Sequence, residues 1–149
     1  MPTPAPLDLS GYSLDLRLAF YGALFSMSNA DRDMDEAEDD RIFESLDLSD
    51  LDGDARKQVL RLAINPKPLE RVLLTFRDED EHLRRALMLN LIDVVLADGI
   101  IEPGEHVGLH EARQVLGLSR DEMASLHDIA HKAQSQTNRA RPIQPPAAD

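Results

Sequence analysis

The residues best spaced for chemistry are two short acidic stretches. The first to be noticed is "ADGIIEPGE" at positions 97–105. Read from Asp98, it runs D-G-x-I-x-x-x-E. That is the order of an acid, a turn glycine, a core isoleucine and a closing glutamate in the second half of an EF-hand calcium loop. An EF-hand also needs oxygen ligands two and four residues before that acid. Here those positions are Leu96 and Val94, whose side chains cannot ligate and which fit a core helix. A shorter pattern survives: an Asp in a turn, then an acid and a Glu three apart at the start of the next helix.

The same pattern stands 67 residues earlier, in "ADRDMDEAE" at 30–38. Asp31 aligns with Asp98, Met34 with Ile101, Asp35 with Glu102 and Glu38 with Glu105. The apolar residues upstream follow the same offset: Leu16 with Leu83, Phe20 with Leu87, Leu24 with Leu91, Met27 with Val94. Downstream, Ile42 meets Leu109. The chain therefore reads as two copies of one hairpin, each a buried helix, an acidic turn and a second helix, packed on each other about a pseudo-twofold axis.

Three carboxylates per turn, with carbonyls and water, can form an oxygen site for Ca²⁺, Mg²⁺ or Mn²⁺. The same residues also suit a helix start that needs no metal. Carboxylates in a first turn are favoured by the helix dipole, by about 0.3–1 kcal/mol each. Asp35 or Glu102 can cap, with Glu38 or Glu105 three residues on. Spacing leaves both readings open.

The elements that position these turns are all helical, because apolar residues recur at helical spacing and strand-type alternation is absent. Seven helices are expected. The first spans 14–28, with Leu16, Phe20, Ala23, Leu24 and Met27 on one stripe. The second spans 35–46, with Ile42 and Phe43 inward. The third begins after Ser49, where Asp52 would complete a capping box, carries Val59, Leu60 and Ala63, and ends at "NPKP" because a residue before proline avoids the helical region. The fourth is "LERVLLTF". The fifth runs from about residue 80 to 96 and buries Leu83, Leu87, Leu91, Val94 and Val95; Asn90 and Asp93 would lie at its polar edge or hydrogen-bond internally, or Asp93 would support the acidic turn from beneath. The sixth opens at Glu102 or Pro103 and stops at Gly117. The seventh opens on the capping box "SRDE" at 119–122 and ends near Ala133. The expected architecture is an all-α bundle of about seven helices at 12–133. Proline-rich, loose termini are expected at 1–11 and 134–149.

Composition excludes much. The chain has 149 residues and no cysteine, which removes disulfides, thiol catalysis, cysteine zinc sites and iron–sulfur clusters. The opening residues have neither the basic start nor the apolar run of a signal peptide, and the most apolar segment, 86–101, is too short and polar to span a bilayer. A cytoplasmic protein is expected. The net charge is −12, which repels nucleic acid and anionic lipid. Residues 31–54 hold twelve Asp or Glu against two Arg. Cations and basic protein surfaces are the partners this charge favours, although most charge runs are solvated helical faces.

Two histidine pairs have zinc-compatible i, i+4 spacing, His106/His110 and His127/His131. Neither encloses the glutamate of H-E-x-x-H, so exposed histidines without a metal are the plainer reading. G-x-S-x-G, P-loop and dinucleotide glycine patterns are absent. Paired carboxylates serve glycosidases, but the aromatics that would stack sugars are four Phe, two Tyr and no Trp. A metal-dependent hydrolase is the remote alternative.

The stretch "LIDVVLADGIIEPGEHVGLHEARQVLGLSRDEMASL" at 91–126 resembles the TerB family of tellurite-resistance domains: an apolar helix, A-D-G, an apolar residue, an acid and a Glu, a helix ending L-G-L, and a further helix. "ADRDMDEAEDDRIFESL" fits the family's first repeat less tightly, and the resemblance covers roughly 12–133. It implies the all-α fold of paired hairpins and a place in a stress, tellurite-resistance or phage-defence system; with enzyme signatures missing, a non-enzymatic module that contacts partner proteins is expected. The resemblance also implies acidic residues that hold divalent cations, carried over here to Asp31, Asp35, Glu38, Asp98, Glu102 and Glu105. One departure is Arg32, which stands where the second copy has Gly99 and can pair with the neighbouring acids instead. A pure interaction or adaptor domain, with the acids acting only as caps, is the alternative.

Overall fold

A computed structural model describes residues 9, 11–28, 52–96 and 103–134. Six helices lie in these stretches: α1 (Leu14–Ser28), α2 (Gly53–Ile64), α3 (Leu69–Phe76), α4 (Glu81–Leu96), α5 (Pro103–Leu116) and α6 (Arg120–Gln134). The fold is all-α, with no strand among the described residues. The helix expected at 35–46 lies outside them, as do nearly all of the termini expected to be loose.

Two helices form the centre. From Phe20 to Met27 every residue of α1 is buried, and so is every residue of α4 from Ala86 to Ile92. A helix apolar on all sides has to be covered on all sides. α1 is flanked by α2, α3 and α4, and α4 by α1, α5 and α6; α3 also packs on α5. At the centre Phe20 meets Phe76 edge-on with ring centroids 6.2 Å apart, and Tyr21 at 6.4 Å, the geometry aromatic quadrupoles favour.

The repeat extends further in both directions than the sequence comparison reaches. Ahead of α1, the Tyr12 N–H donates to Leu9 O at 3.0 Å; ahead of α4, the Glu79 N–H donates to Phe76 O at 3.1 Å. Ser13 Oγ then accepts the Leu16 N–H at 3.2 Å, and Asp80 Oδ1 the Leu83 N–H at 2.8 Å. The third helix of each copy follows the same offset. α2 starts at Gly53 and α6 at Arg120, again 67 apart. Asp52 Oδ1 caps α2 through the Ala55 N–H at 2.8 Å. Ser119 caps α6 in a reciprocal box, with Glu122 N–H to Ser119 Oγ and Ser119 N–H to Glu122 Oε1 both at 3.1 Å. Val59 and Leu126 are the paired, fully buried anchors of these outer helices. The repeat thus runs from 9 to 64 and again from 76 to 131, and α3 joins the copies.

Two expectations change. Asp52 is itself the N-cap of α2 rather than the third residue of a box begun at Ser49. Leu60 is 49% exposed, because it sits one residue, and so about 100° around the helix, from the buried Val59; Ala55 and Leu62 fill that face instead. The sixth expected helix ends where its glycine predicts. Gly117 has φ +68, and the Leu118 N–H reaches back to Arg113 O at 3.1 Å in a Schellman closure. Arg84 ties this end to the centre, donating to Leu116 O at 2.7 Å and to Glu79 O at 3.0 Å.

Candidate functional site

The acidic corners follow the C-terminal ends of the two central helices. Val94 and Leu96 are 8% and 9% exposed in the last turn of α4. They are core residues, as the rejection of an EF-hand required. Of the six candidate carboxylates, Glu105 lies in the first turn of α5. Asp31, Asp35, Glu38, Asp98 and Glu102 lie outside the described residues.

What the structure does fix is how the frames of the two corners meet. Gly108, one turn beyond Glu105 on α5, lies against Met27, four residues before Asp31. A β-carbon on Gly108 would sit 3.2 Å from Met27 Sδ and 3.1 Å from Leu69 Cδ2. The helix leaving the second corner therefore rests on the end of the helix entering the first. A side chain at Gly108 would be crowded there, and Met27 and Leu69 would have to give by a few tenths of an ångström.

Asn90 is buried on α4 and its Nδ2 donates to Ala86 O at 2.8 Å, the internal bond expected of a core amide. Asp93 is half-buried on the same helix. The histidine pairs do not combine: among the described residues no group of three or more His, Cys, Asp or Glu comes together to hold a metal. His106, His110 and His131 are exposed, and His127 is half-buried. Burial lowers the His127 pKa from its ordinary value, and the nearby His131 lowers it further. Tyr12, beside the second copy's turn, is raised above the usual phenol value, first by burial and then by the carboxylates of Asp80 and Glu79.

A family model described as tellurite resistance protein TerB matches residues 17–128. The chain belongs to the TerB family. The match spans both copies of the repeat, including the acidic turn that has Arg32 in place of a glycine. Neither a curated protein nor a solved structure matches the chain. No helix among the described residues is long and apolar enough to cross a membrane.

One feature of this TerB domain was missed in the sequence. α1, α2, the Pro-containing link after α2 and α3 enclose a groove of about 950 Å³. Arg61, Lys67 and Arg71 stand on its walls. The signal was present: residues 52–77 hold six Lys or Arg against three Asp or Glu. It was hidden by the acidity of the whole chain.

Proposed function

We propose that this chain is a non-enzymatic TerB module that binds divalent cations at its two acidic corners and contacts partner proteins in the cytoplasm, in a bacterial stress, tellurite-resistance or phage-defence system. The observation that carries the reading is the family match across two copies whose corner frames meet at Gly108 and Met27. Asp31, Asp35 and Glu38 would serve one corner, and Asp98, Glu102 and Glu105 the other. The donor set is all carboxylate, which suits the hard cations Ca²⁺, Mg²⁺ and Mn²⁺ and not softer metals. A bound cation would supply local positive charge and order the turn. The protein's acidity favours a partner with a basic surface.

The test is titration calorimetry of the chelator-treated protein with Ca²⁺, Mg²⁺ and Mn²⁺, paired with thermal melts. Saturable heat and a raised melting temperature, both lost in Asp98→Asn/Glu102→Gln/Glu105→Gln, are expected. No heat and no melting shift at millimolar ion would sink the metal reading.

A second reading has its own support. Four of the described helices, α1, α2, α4 and α6, start on a side-chain cap. Acids at the corners would extend that habit, leaving a pure interaction domain without metal. On that reading the triple variant loses a little stability and partner capture by the wild-type protein is indifferent to chelator.

A further inference from the structure

We propose that the groove between α1, α2 and α3 is a docking site for an acidic amphipathic helix of a partner protein. This stands on different residues from the acidic corners and does not rest on metal binding there.

The floor of the groove is apolar: Leu18 from α1, Leu62 from α2 and Val72 from α3. Ile64, at its α2 end, is 65% exposed, the most exposed large apolar side chain among the described residues. An isolated exposed apolar residue means little, but one that continues an apolar floor enlarges a binding surface. The walls are basic. Arg61, Lys67 and Arg71 are all exposed, none forms a salt bridge among the described residues, and among the described residues Asp15 is the one acid lining the groove. The groove is also held in shape. Ser26 Oγ lies 2.6 Å from Lys67 O and 2.8 Å from Gly22 O, pinning the α2–α3 link to α1. Leu62 packs beside Gly22 of α1, where even a β-carbon would meet it at ordinary van der Waals distance.

Charge decides among occupants. A groove walled by cations in a chain of net charge −12 is complementary to an anion, but only one small enough to meet the local field. Charges farther than about 8 Å are largely screened at physiological salt. A nucleic acid, an anionic membrane or a second copy of this chain presents charge over a much wider area and meets the acidic remainder. A small inorganic anion would leave the apolar floor in water. A helix with leucines on one stripe and glutamates beside them satisfies both floor and walls, in the manner of helix-in-groove recognition.

The probe is a fluorescein-labelled model helix with leucines at i, i+3, i+4 and i+7 and glutamates flanking them, titrated with the full chain and read by anisotropy. Saturable binding that weakens with added salt is expected. Arg61→Glu/Lys67→Glu/Arg71→Glu should weaken it about tenfold or more, since each exposed ion pair contributes modestly. The circular dichroism melt of that variant should stay near wild type, because all three side chains are exposed. Ile64→Ser, which leaves the charge unchanged, should weaken binding independently. Asp98→Asn/Glu102→Gln/Glu105→Gln should bind the helix as wild type does. The proposal is overturned if the glutamate helix does not saturate, if the charge-reversed protein binds it equally, or if a lysine-for-glutamate helix binds as well. It is also overturned if phosphatidylglycerol vesicles, inorganic phosphate or self-association occupy the groove in preference to the helix.

Discussion

Ser13 and Asp80 stand 67 residues apart and perform the same act: each accepts the backbone N–H three residues on and so starts one of the two central helices. Both follow a turn closed by a backbone bond between residues three apart. The equivalence is one of hydrogen bonds and not of side-chain identity, since one residue is a hydroxyl and the other a carboxylate.

Removing either cap should therefore cost a similar amount. Ser13→Ala and Asp80→Ala are each expected to lower stability by about 1 kcal/mol, and the double variant by roughly the sum. Urea unfolding of the four proteins checks this; a double variant far worse than the sum would mean that the two starts are coupled.

Gly108→Ala should destabilise although alanine favours a helix by about 1 kcal/mol. The new methyl would press on Met27 and Leu69 at 3.1–3.3 Å, and overpacking of this kind costs about 1–3 kcal/mol. A net loss on the order of 1 kcal/mol is expected, with part of it relieved in a Met27→Ala background. A double-mutant cycle read by thermal melts measures that coupling.

Arg84 joins the start of α4 to the end of α5 through two carbonyls. Arg84→Met keeps much of the stem and deletes both bonds, and a loss of about 2–3 kcal/mol is expected for hydrogen bonds from a charged donor. Gly117→Ala tests the same corner by forcing a side chain into positive φ, at about 1–2 kcal/mol. Hydrogen exchange of the last turn of α5 should speed up in both.

His127 gives the fold a pH dependence of known sign. Burial, and then His131, depress its folded pKa, so the unfolded chain takes up the proton first as the pH falls. Its contribution is complete above the unfolded value of about 6.5 and is lost as the pH drops through the folded value. His127→Gln should flatten that part of the stability profile between neutral and mildly acidic pH. His131→Ala should move the His127 titration, followed by NMR, upward.

The central helices were legible in the sequence because their apolar residues are dense and their limits are marked. Leu14–Ser28, Leu69–Phe76 and the "SRDE" start of the last helix stand where spacing and caps place them. The first copy of the third helix was harder. Leu60 reads as core by its type, and only packing shows that Val59 and Leu62 take that face. The pairing of Gly53–Ile64 with Arg120–Gln134 escaped comparison because few residues match: Arg61 stands opposite Asp128, and Leu60 opposite His127. What the copies share there is a cap and a buried anchor. The carboxylates of the corners stand out in the sequence by their spacing and by the family resemblance, whereas the local excess of Lys and Arg at 52–77 that lines the basic groove is masked by the acidity of the whole chain.

The all-round burial of α1 and α4 bears on how the domain comes apart. Each central helix is sheathed partly by its own copy and partly by the other. Either half, cut free, would uncover the apolar sides of its central helix to water. The duplication has therefore produced one cooperative unit and not two tethered ones, and α3 is a seam within it across which unfolding should pass without a pause.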